Sequence, residues 1–266
     1  MSGGILAASL GLISCSTAPS SAGGPSAELW SAAAKTYSVG DYAKAADHLE
    51  RLIRDKNPYT ARAIPWYLVL TSGMARGYMD LADRYTAGAR FNKSRALTFR
   101  LRATKYRTMA SEFALRFAQQ SDRLSEIPLG NVPLAFAFPR GNGAAPALFS
   151  RIGSGIEITP EEQAAAETLA LERGVLMAVC NAAGAPNDVA KSREILTQGA
   201  QGNTRAAFGD AIAQMLDTES ALFQRDALNE PDKAAVLRER AERVRVEAAR
   251  VGLARIGLVV SAAPGQ

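Results

Sequence analysis

Apolar residues recur every three or four positions through most of residues 27–260, the repeat of an α-helix with one buried face. That period commits the chain to helices laid against helices. Aromatic residues are only 7% of the sequence, which leaves little of the material strands are made from. Hydrophobic residues reach 47% and charged residues 21%, a balance that supports a packed core and excludes general disorder. The expected fold class is all-α, built as stacked antiparallel helical hairpins with one interruption. Over 127–159, Pro128, Pro133, Pro139 and Pro146 stand among Gly130, Gly141, Gly143, Gly153 and Gly155, and no long helix survives that. The segment 132–138 reads as a short extended piece. This irregular connection divides the chain into helical halves over 27–126 and 160–260, with a tail over 261–266.

Residues 1–26 carry a different signal. The apolar run over 5–14 is shorter than the ~20 residues that cross a bilayer, and matches the hydrophobic region of a secretory signal. It ends Leu12, Ile13, Ser14, Cys15, which resembles the lipobox of bacterial lipoproteins. That resemblance implies cleavage before Cys15, acylation of its thiol, and a signal segment over 1–15. Residues 16–26, rich in Ser, Gly, Pro and Ala, follow as a flexible tether. No Lys or Arg precedes Lys35, whereas such signals begin with basic residues; a start further upstream would supply them. Ser16 after the Cys favours the periplasmic face of the outer membrane, with the membrane reached only through the lipid.

The sharpest local pattern covers 27–58. A helix over 27–39 is closed by Gly40, Asp41 caps a second helix running to about residue 56, and Asn57-Pro58 stops it. Ala33 and Ala45 are small where two helices would touch, Tyr42 follows the turn, and Leu49 and Leu52 face inward. These residues resemble a tetratricopeptide (TPR) unit, a helical hairpin of about 34 residues. A second, looser unit places Trp66 on the Trp position, Gly77 on the turn glycine, and Ala82 and Ala89 on small positions. The resemblance implies a right-handed array of hairpins.

A long helix is expected over 93–124, with Phe99, Ala103, Tyr106, Ala110, Phe113 and Phe117 on one face. Thr159-Pro160-Glu161-Glu162 opens the C-terminal half with a cap, a first-turn proline and two acids. Two hairpins follow, over 160–198 and 204–257. Phe208, Ile212, Met215, Leu216, Leu222 and Phe223 form a buried face in the second.

Catalytic chemistry is sparse. His48 is the sole histidine, so no site in one chain can use two imidazoles. Cys15 and Cys180 exclude a disulfide framework and four-thiolate zinc sites; Cys180, in an apolar run, reads as a small core residue. No CxxC, P-loop or Gly-x-Ser-x-Gly occurs, and Gly153-Ser154-Gly155 is too short for a phosphate loop. His48 reads as a surface or groove histidine, and the Glu161–Glu162 pair as complementing a helix dipole. The chain therefore reads as a binding protein without catalytic residues, cofactor or metal.

The most pointed feature is charge. Arg90, Lys93, Arg95, Arg100, Arg102, Lys105 and Arg107 fall in eighteen consecutive residues without one acid. On a helix, Arg95 and Arg102 border the apolar stripe, and Lys93, Arg100 and Arg107 form a row on the opposite flank. Arg95 and Arg102 are the candidate ligand-binding pair, since two guanidinium groups beside a groove clamp a carboxylate or phosphate. An acidic partner, anionic lipid head groups, and a solvated face paired with distant acids are the other readings. Nucleic acid suits the charge but not a secreted lipoprotein.

A hairpin, a Trp-led helix and an Arg/Tyr/Phe-rich helix after a lipobox resemble, over about a third of the chain, the T component of tripartite ATP-independent periplasmic (TRAP) transporters. The resemblance implies an all-helical fold and association with a periplasmic solute-binding protein, and leaves room for ligand passage through a pore. It transfers no functional residue. The function expected is that of a lipid-anchored scaffold or adaptor for envelope proteins. The alternatives are an accessory component of solute uptake binding a solute-binding protein or a small anion, and a cell-wall enzyme.

Overall fold

A computed structural model describes residues 24–132, 134, 146–197, 204–224 and 228–255. Cys15, most of the tether, most of the segment 132–138 and the C-terminal tail lie outside the described residues. Nine α-helices carry these residues: α1 (Gly24–Ser38), α2 (Tyr42–Arg54), α3 (Thr60–Phe91), α4 (Ala96–Gln120), α5 (Pro146–Gly153), α6 (Pro160–Ala182), α7 (Val189–Thr197), α8 (Arg205–Phe223) and α9 (Pro231–Arg255). A 3₁₀ turn over Ser121–Glu126 extends α4. The fold is all-α, as the apolar period requires.

The first hairpin follows from its turn. Gly40 takes φ +85°, a left-handed conformation that ends α1 without a Cβ clash. Asp41 then accepts a hydrogen bond from the Lys44 N–H and caps α2. Ala33, Ala45, Tyr42, Leu49 and Leu52 are all buried.

The second hairpin does not form. Gly77, expected at its turn, lies inside α3, which runs unbroken for 32 residues. The glycine is there for proximity. A Cβ on Gly77 would stand 2.5 Å from the Ala170 carbonyl oxygen, and one on Gly73 would stand 2.5 Å from Val175 Cα. Gly174 meets them from α6, so α3 and α6 cross backbone against backbone. Small residues mark a helix crossing here, where sequence pattern alone suggested a chain reversal.

Helix α3 is the axis of the molecule. It packs against α4 and α6 most extensively, and also against α2, α5 and α8. Both halves of the chain close on one core through it. On the α4 side, Phe113, Tyr78, Tyr106, Tyr85 and Phe99 form a column with ring centroids 5.6–6.1 Å apart. Tyr78 and Tyr85 on α3 interleave with the predicted stripe of α4, all of which is buried. Helices α8 and α9 pair antiparallel: Gly209 faces Ala248, and the Ser220 hydroxyl donates to the Ala234 carbonyl.

The central connection is more ordered than its composition suggested. It contains α5, whose Phe149 and Ile152 are buried, and Asn131 bridges to Thr204. Buried Arg205 donates to the Ile127 carbonyl (3.0 Å) and pairs with Glu247 (2.6 Å), tying this strap to α8 and α9. Thr159 caps α6 as expected, and Glu162 adds a reciprocal bond that completes a capping box: Thr159 accepts from the Glu162 N–H, and the Glu162 carboxylate accepts from the Thr159 N–H.

Candidate functional site

The acid-free basic stretch closes α3, turns, and opens α4. Asn92 builds the turn: its side-chain oxygen accepts from the Arg95 N–H (3.0 Å) and its amide donates to the Gly155 carbonyl (2.8 Å). Gly88 brings α3 against Ile152 of α5 and the Phe99 ring at the same corner. Helices α3, α4 and α5 thus meet at the corner that carries the basic stretch.

The fold sorts these cations into two sets. Arg95 pairs with Glu157 (3.3 Å), and Lys105 reaches Glu167 (4.0 Å). The Arg102 guanidinium lies over the Tyr85 ring, 5.6 Å from its centroid. Burial raises the Tyr85 phenol's pKa and Arg102 opposes that rise. The two residues singled out by spacing, Arg95 and Arg102, are therefore occupied by protein groups on the inner flank. The other row is not. Arg90, Lys93, Arg100 and Arg107 have no carboxylate partner among the described residues. With Thr86, Ala89, Ala103 and Thr104 they line a cavity of about 390 Å³ between α3 and α4.

Within that cavity Arg107 is held in place. Its terminal nitrogen donates to Thr86 Oγ1 (2.5 Å), while the Thr86 hydroxyl donates to the Ala82 carbonyl (2.8 Å). The threonine lone pairs are thus free to receive the guanidinium. Arg107 Nε has no exposed surface and no acceptor. Beyond the cavity the basic residues of α4 return to ordinary pairing. Arg116 donates to Asp47 (2.8 Å), Glu50 (2.5 Å) and the Tyr67 hydroxyl (3.3 Å), holding α4 against α2. Burial pushes the Tyr67 phenol up to about 12 against the pull of Arg116.

Three large apolar side chains stand exposed on the same end of the molecule: Phe91 at 72%, Leu97 at 70% and Leu101 at 63%. Leu97 and Leu101 share one face of α4, next to the unpaired row. A cationic groove with an exposed apolar border suits the recognition of an anionic, partly apolar surface.

Other candidates resolve as structure. His48 is half-buried on α2 with Nδ1 unpartnered, and neighbouring Asp47 is turned to Arg116. Glu162 serves the capping box and pairs with Arg151. Cys180 is buried, and desolvation raises its thiol pKa. Among the described residues, no group of three or more His, Cys, Asp or Glu could hold a metal, and no helix is long and apolar enough to cross a membrane. No protein-family model, curated protein or solved structure matches the chain.

Sequence reasoning located the basic helix and both of its flanks. It missed which flank faces a cavity, because the acids that neutralise the inner one, Glu157 and Glu167, come from far downstream. It also missed the α3 contribution of Thr86 and Arg90. Their signal was there: no acid stands between Asp83 and Glu112.

Proposed function

We propose that the protein is a lipid-tethered helical adaptor of the bacterial cell envelope. Cys15 anchors it to the periplasmic face of the outer membrane, and the basic end of α3 and α4 binds a partner protein with an acidic surface. The observation that carries this reading is the coincidence of exposed Phe91, Leu97 and Leu101 with cations that have no carboxylate of their own. An interface needs an apolar centre and charge that selects the partner, and this end of the molecule offers both.

A photo-crosslinking side chain at Leu101 in intact cells tests the reading. It is expected to trap one discrete partner, and trapping is expected to fall ~10-fold in Arg90→Glu plus Arg100→Glu. Equal trapping from a probe on α9 would remove the groove from the account. Palmitate labelling tests the anchor: it is expected in the wild type and absent in Cys15→Ala.

A second reading is favoured by the cavity itself. In it, the chain is the accessory component of a TRAP-type uptake system, docking a solute-binding protein and handling a small anion. It predicts that the trapped partner is such a protein.

A further inference from the structure

We propose that the cavity between the end of α3 and the start of α4 is a binding site for a small molecule carrying two or more oxyanion groups, phosphate or carboxylate. The inference rests on the second reading above, that the chain handles a small anion, and it assigns the place and the chemistry.

Three observations carry it. The first is composition. Arg90, Lys93, Arg100 and Arg107 supply four cationic groups, Thr86 and Thr104 supply hydroxyls, and no acid lines the cavity. Everywhere else on α4 the basic side chains have found a carboxylate or a ring. Crowding four cations with no counter-charge costs Coulomb energy that an anion would relieve. The second is size. About 390 Å³ lies in the range of small-molecule sites and exceeds what a single inorganic ion needs. The third is preparation. Thr86 fixes Arg107 by a hydrogen bond whose polarity is set from Ala82. A guanidinium pinned through one terminal nitrogen keeps its remaining terminal N–H groups to donate to an oxyanion. The aliphatic wall from Ala89 and Ala103 leaves room for the carbon frame of the ligand.

Isothermal titration of the purified full chain with pyrophosphate and with citrate, against sucrose as a neutral control, tests the site. Saturable binding of one anion per chain is expected, with none for sucrose. Affinity is expected to fall ~10-fold or more in Arg100→Gln plus Arg107→Gln, and in the exposed pair Arg90→Gln plus Lys93→Gln. Circular dichroism of the second pair guards against a folding artefact. Arg95→Gln plus Arg102→Gln is expected to keep wild-type affinity. No saturable heat up to about 10 mM of either anion overturns the proposal. So does an equal loss in all three pairs, which marks unspecific attraction. So does binding only to phosphatidylglycerol vesicles, which marks a membrane-facing surface. If pyrophosphate or citrate titrates as expected but cells yield no solute-binding partner, the uptake reading fails and the site stands. The converse result retires the site alone.

Discussion

The two sides of α3 are packed by opposite rules. Toward α6 it presents Gly73 and Gly77, which meet Gly174 with no side chain between them. Toward α4, the rings of Tyr78 and Tyr85 fill the contact, and near the end of α3 a cavity is bordered by arginine and lysine. Small residues at the crossing let the two backbones touch. Long cations instead border an open cavity at the end of α3. One helix thus anchors the core along one face and frames a charged cavity along another.

Gly174→Leu should have the largest effect on this contrast. A side chain there must enter the α3 backbone, so a loss above about 3 kcal/mol is expected, read as a collapse of the thermal unfolding midpoint or as insoluble protein. A variant melting within a few degrees of wild type would mean that the crossing is looser than described.

The dense side also contains a buried acid. Glu219 on α8 is 0% exposed, and neither carboxylate oxygen has a partner. Desolvation holds its pKa well above the ordinary 4.5, with Ser72 and Arg76 acting in the other direction. The folded state therefore keeps a proton that the unfolded chain releases. The stabilisation is complete below about pH 4.5 and is lost as pH rises toward the folded value, by up to ~1.4 kcal/mol per pH unit. Chemical denaturation across that window should show stability falling with pH. Glu219→Gln should flatten this slope, and an unchanged slope would assign it to another group.

Removing the cap of the partner helix should be milder. Thr159→Ala deletes one half of the α6 capping box, and a loss of about 1 kcal/mol is expected in urea unfolding. A loss below ~0.3 kcal/mol would mean that the α3–α6 crossing alone sets the position of α6.

The open side should respond least, and in the opposite direction. Arg100→Ala removes an exposed cation from an unneutralised cluster. A gain of up to ~0.5 kcal/mol is expected at low ionic strength and should vanish in about 1 M salt. A clear loss would mean that Arg100 has a structural partner.

The same contrast explains what the sequence disclosed. Features set by neighbours along the chain were legible: the Gly40 turn, the Asp41 cap, the Thr159 cap, and the stripe from Phe99 to Phe117, all found as expected. Features set by distant segments were not. Gly77 is equally suited to a turn and to a helix crossing, and only Ala170 decides between them. Helical spacing puts Arg95 and Arg100 on different flanks, but only distant Glu157 shows which is ion-paired and which lines the cavity. Helix α5 escaped notice because its eight residues follow a run of prolines and glycines.

The central claim about the molecule is that the α3–α4 groove is a binding surface. Hydrogen exchange of the full chain, with and without saturating citrate, tests that most directly. Slower exchange confined to the amides of residues 86–107 is the expected result. Unchanged exchange there, or protection centred on α8 and α9, would contradict it.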